Sequence, residues 1–143
     1  MTQSGICEIL IGTQLLLNIF CDIICNMKEN VLLKLSQDFA SEIVLLANDL
    51  RANKEFQICD QIKRSGTSIS ANIAEANYPQ SRADMISKFE IALKESSETE
   101  NWLDIILKSN LIDEERYNFL KSKNIKNKIL LIKSIKTLKS KIV

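Results

Sequence analysis

The stretch RSGTSISANIAEA, residues 64–76, sets small polar side chains into sequence that is otherwise apolar and helix-forming. Ile58, Ile62, Ile69, Ile73 and Ala76 recur at steps of three, four and seven, which predicts the buried stripe of an α-helix. At about 100° per residue, Arg64, Ser68, Asn72 and Glu75 fall within roughly 80° of one another beside that stripe, with Ser65 next to them. Polar groups at the edge of a buried face mark a seam, because hydroxyl, amide and guanidinium groups taken out of water need partners. Glu90, Glu95 and Glu98 on the following helix are the obvious partners, and Arg64 can make a forked contact to one of them.

Outward from this stretch the same periodicity continues. Leu32, Leu35, Phe39, Ile43, Leu46 and Leu50 predict a first helix that ends near Asn53, a residue able to cap the next one. NYPQS breaks the second helix after Ala76: Asn77 suits a left-handed C-terminal position, Pro79 cannot continue a helix, and Ser81 with Asp84 resembles a capping box. A third helix follows from about Ser81 to Lys108, with Met85, Phe89, Ala92 or Leu93, Ser96, Leu103 and Ile106 facing inward. Asp113 fits the cap of a fourth helix, on which Tyr117, Leu120, Leu131, Ile135, Leu138 and Ile142 share one side. Short connections make consecutive helices antiparallel, so the fold expected is all-α, an up-down-up-down four-helix bundle over residues 27–143.

Three Gly and one Pro leave little material for β-turns, which reinforces the all-α reading. Residues 1–26 stand apart: ICEILIGTQLLLNIFCDIIC is apolar, yet carries Glu8, Gln14, Asn18 and Asp22 and is preceded by no Lys or Arg. Three readings are open for it: an extension upstream of a start at Met27, an extra packing helix, or a membrane or targeting segment. The first is preferred, with no membrane partner and a cytoplasmic location. The four Cys lack zinc-site spacing and read as reduced thiols, and His is absent altogether. Without its commonest base and metal ligand the chain reads as no enzyme, with no catalytic residues, metal or cofactor.

RSGTSISANIAEA followed by SRADMISKFEIALKESSETENWL resembles the signature of the bacterial 23S ribosomal RNA intervening-sequence proteins, also called the four-helix-bundle protein family. The resemblance runs from MKENVLLKLSQDFA to the basic end. It implies a small bundle that assembles with itself as a homopentamer. Related bundles are the basic, nucleic-acid-binding accessory proteins of retroelements that diversify sequences. Ser70 stands where many relatives carry Gly or Pro, and Ala76 where many carry Gly; both are small enough for the same packing.

The formal charge of +1 conceals an asymmetry. Residues 121–143 contain eight Lys and no acid, whereas residues 80–115 carry nine carboxylates against four basic side chains. Lys121, Lys123, Lys126, Lys128, Lys133, Lys136 and Lys139 are the candidate contacts to RNA or DNA phosphates, a mode that positions a backbone without reading bases. Two other readings compete: a merely solvated helix face, and an acidic third helix of one subunit meeting the basic fourth helix of its neighbour. A protein-binding scaffold, accessory to a reverse transcriptase or to ribosome assembly, is the alternative function. Arg64, Ser65, Ser68, Asn72, Glu75, Glu90, Glu95 and Glu98 read as a structural seam or oligomer interface, with Trp102 and Tyr117 as packing anchors.

Overall fold

The computed structural model describes residues 31–140, of which residues 32–140 pack as one compact unit. Four helices make it up: α1, helical through the described residues 31–52, α2 (Phe56–Ala76), α3 (Arg82–Lys108) and α4 (Glu114–Ser140). The expected boundary at residues 26 and 27, and Lys141 and Ile142, lie outside the described residues.

Ion pairs fix the antiparallel order. Arg64 reaches Glu95 and Glu98 while Glu75 meets Lys88, so α2 runs against α3. Lys121 lies near Asp104 and Lys139 near Glu90, which sets α4 against α3; Asp49 with Arg116 and Glu42 with Lys123 set it against α1. The bundle is therefore up-down-up-down. Its core is built from Phe39, Ile43 and Leu46 of α1, Ile62, Ile69 and Ile73 of α2, Phe89, Leu103 and Ile106 of α3, and Leu120 and Leu131 of α4, all fully buried. Burying each such side chain contributes about 1.5–3 kcal/mol. Gly66 lets α2 approach α1 closely: a Cβ there would stand 2.7 Å from Cγ2 of Ile43.

The helix ends are set by local chemistry. The Ser81 hydroxyl accepts from the Asp84 amide at 3.0 Å, and the Asp113 carboxylate accepts from the Arg116 amide at 2.8 Å, as their N-cap positions predict. At the end of α1, Lys54 takes a left-handed φ of 65°, with Glu55 N–H donating to Leu50 C=O and Lys54 N–H to Arg51 C=O, the pairing of a Schellman turn. Asn110 repeats it after α3 at φ 56°. Two cap expectations fail. Asn53 belongs to the close of α1, and Glu55 precedes α2 with no side-chain cap, because the left-handed turn at Lys54 separates the two helices. Asn77 is right-handed, at φ −74°, since its N–H bonds back to the Ala74 carbonyl and the Tyr78 N–H to that of Glu75, which closes α2 with a right-handed turn.

Three expected interior residues also differ. Leu35, Met85 and Tyr117 lie half-buried at the margin, and Ser36 and Ile86 are buried beside the first two. On α4 the places between Leu120 and Leu131 belong to Asn124 and Asn127, both without solvent exposure.

Candidate docking face and the ion-pair seams

The polar stripe of α2 divides by depth. Ser65 is buried and its hydroxyl lies 2.9 Å from that of Thr99 on α3, whose oxygen is also 2.8 Å from the Glu95 carbonyl. Above this, Arg64 spreads over α3, with Nη1 donating to Glu95 at 3.2 Å and Nη2 to Glu98, which also accepts from the Trp102 indole at 3.3 Å. The Glu98 carboxyl is held below its ordinary range first by its bond from Arg64, and the same bond raises the Arg64 guanidinium. Ser68 and Asn72 stay within α2, the Asn72 amide donating to the Ser68 carbonyl at 2.8 Å. Glu75 pairs with Lys88, and Glu90 with Lys139 rather than with Arg64. A concavity of about 540 Å³ at the α2–α3 turn is lined by Glu75, Tyr78 and Asp84, but its charges are engaged by Lys88 and by the cap.

A second seam joins α3 to α4. The Tyr117 hydroxyl donates to Asp104 at 2.5 Å and accepts from Lys121 at 2.6 Å; Lys128 reaches Glu100 at 2.5 Å and Lys139 reaches Glu90 at 2.6 Å. The bond from Tyr117 is the main cause lowering Asp104, and the bond to Tyr117 the main cause raising Lys121. Lys123 lies 4.0 Å from Glu42 on α1. Acids of α3 and bases of α4 thus pair with one another within one subunit. Of the seven candidate lysines, Lys126, Lys133 and Lys136 are exposed and have no acidic partner among the described residues.

Those three do not stand on a purely polar surface. Ile125, Ile129 and Ile132 lie among them, with 41%, 47% and 38% of their surface exposed. Steps of four and three put them on one line, continued by Ser122 and Lys136 at its ends. The inner line of α4 is Leu120, Asn124, Asn127, Leu131, Ile135 and Leu138. There Ser96 and Asn124 bond reciprocally, the Ser96 hydroxyl donating at 2.6 Å and the Asn124 amide donating to the Ser96 carbonyl at 2.9 Å. One turn on, neither amide atom of Asn127 finds a partner among the described residues. Sequence reasoning passed over the isoleucine line and both asparagines; a search of residues 114–140 at a 3.5-residue period reveals two lines instead of one.

The model of the 23S rRNA-intervening sequence protein family matches residues 28–133, most of the chain. The chain belongs to that family. A crystal structure of a protein of unknown function from the S23 ribosomal protein family of Bacteroides thetaiotaomicron is 46% identical, with a TM-score of 0.74 over 76% of this chain and 98% of that one. No curated protein matches. The family match agrees with the resemblance carried by residues 64–76 and the helix that follows, and the solved relative supports the all-α bundle. No helix among the described residues is long and apolar enough to cross a membrane.

Proposed function

We propose that this family member is a non-enzymatic docking protein whose working surface is the outward face of α4. One observation carries the reading: three isoleucines in line, bordered by Lys126 and Lys133 and continued by Lys136, all three lysines without an acidic partner among the described residues, on a helix whose other face already fills the core. An apolar line in water is stabilised by covering it, and the flanking charges select what covers it. Replacing Ile125, Ile129 and Ile132 together by Ser tests this. The expected variant folds and melts as the parent does, and loses a binding partner that the parent retains; a variant that keeps its partners contradicts the reading.

A second reading is favoured by the free lysines and by the family's description. Lys126, Lys133 and Lys136 touch phosphates of RNA or DNA irrespective of sequence, and a self-assembled ring, a homopentamer by family resemblance, multiplies the contact. Three phosphates per copy give a salt slope of about −0.9 per phosphate in a log–log plot on duplex nucleic acid. Binding to unrelated RNAs with that slope, abolished by Lys126→Gln, Lys133→Gln and Lys136→Gln together, supports it; binding unaffected by those changes removes it.

A further inference from the structure

The occupant of the outward α4 line can be specified further, on the footing of the docking reading above. We infer that it is an amphipathic helix of another protein, apolar along one line and acidic along the flank that meets Lys126 and Lys133. Ile125, Ile129 and Ile132 are spaced as the core positions of a two-helix seam, and Ser122 and Lys136 extend the line by a step at each end. A helix laid on such a line inserts side chains between the isoleucines, whereas a loop or a flat sheet meets only their tips. Lys126 and Lys133, seven residues apart, border the line on one side, where one flank of a partner helix comes to lie, and both are exposed without an acidic partner among the described residues. An acidic flank answers that charge.

A second copy of the chain fits the line less well. The acids of α3 are engaged at home: Glu90, Glu100 and Asp104 with lysines of α4, and Glu95 and Glu98 with Arg64. On α1, Glu42 and Asp49 meet Lys123 and Arg116. Of the acids in no ion pair, Asp84 and Asp113 cap helices, and Asp38, Glu55, Glu114 and Glu115 are scattered over α1, a turn and the first turn of α4. No described helix of a second copy presents them as a row. Nucleic acid fits the lysines but leaves the isoleucines uncovered, since aliphatic side chains offer neither a stacking face nor a hydrogen bond to bases or phosphates.

The test uses the full chain and three probes: a synthetic helix of about three heptads with Leu on its core positions and Glu on its flanks, the same helix with Lys flanks, and a structured RNA. Anisotropy titrations at low and high salt are paired with light-scattering mass. The inference predicts that the Glu-flanked helix binds and the Lys-flanked one does not. Ile125→Ser, Ile129→Ser and Ile132→Ser together should weaken binding by about a hundredfold. Lys126→Gln with Lys133→Gln should weaken it by about tenfold and flatten its salt dependence. Circular-dichroism melting shows whether each variant is folded; single Ile129→Ser serves if the triple variant is not. RNA binding lost in the lysine variant, with neither helix bound, overturns the helix partner while keeping the α4 face as the working surface. A particle that loses mass in the isoleucine variant makes the occupant a second copy and overturns the inference. Probes indifferent to every variant overturn the docking reading too.

Discussion

Asn127 carries the sharpest energetic tension in the interior. Its amide is fully buried and neither of its polar atoms is bonded among the described residues, whereas Asn124 one turn earlier is satisfied by Ser96. An unmade hydrogen bond in the interior costs about 1–3 kcal/mol, so Asn127→Leu should raise stability by roughly 1–2 kcal/mol in urea unfolding. Asn124→Leu should lower it, because Ser96 is left unpaired; equal effects of the two changes contradict this account. Gly66 gives the opposite lesson. A methyl group there collides with the fully buried, β-branched Ile43, an overpacking cost of about 1–3 kcal/mol against about 1 kcal/mol gained in helix propensity. Gly66→Ala should therefore destabilise by about 1 kcal/mol, and an unchanged or raised midpoint shows that Ile43 yields without cost.

Among the helices, the α2–α3 pair is fastened by a clasp with a definite pH signature. Glu98 titrates below the ordinary carboxylate range in the folded chain, chiefly through its bond from Arg64. Its contribution is present above the unfolded pKa and is lost as pH falls through the folded one. The stability gap between the parent and Glu98→Gln should be widest near neutrality and close in acid; a gap constant across that range removes the clasp. Glu98 and Arg64 are both partly exposed, so the gap is small. This clasp was readable in the sequence because Arg64, Glu95 and Glu98 are long side chains on faces that the apolar stripes had already turned toward one another. Helix starts at Ser81 and Asp113 were readable for the same kind of reason, since a hydroxyl or carboxylate three residues before an amide is a local signal. Ser81→Ala should cost about 1 kcal/mol. The Schellman turn at Lys54 was not readable, because a left-handed Lys is set by packing of the flanking helices against its own preference for negative φ.

For the molecule as a whole, charge counted along the sequence misleads about charge left on the surface. Lys121, Lys128 and Lys139 are spent on α3 and Lys123 lies against α1, which leaves Lys126, Lys133 and Lys136 beside an isoleucine line that a count of lysines conceals. The fold was legible because three helices each carry one dominant apolar stripe. The face of α4 was not, since a helix with two apolar lines does not announce which of them the core takes, and here buried asparagines interrupt the inner one. The central claim is that this outer line is open in the isolated protein. Isoleucine-methyl NMR with a soluble paramagnetic probe measures that directly. The account predicts strong relaxation enhancement at Ile125, Ile129 and Ile132 and little at Ile43, Ile62, Ile69 and Ile73. Methyls of the three outer isoleucines as protected as those of the core would contradict it, because the face would then already be filled.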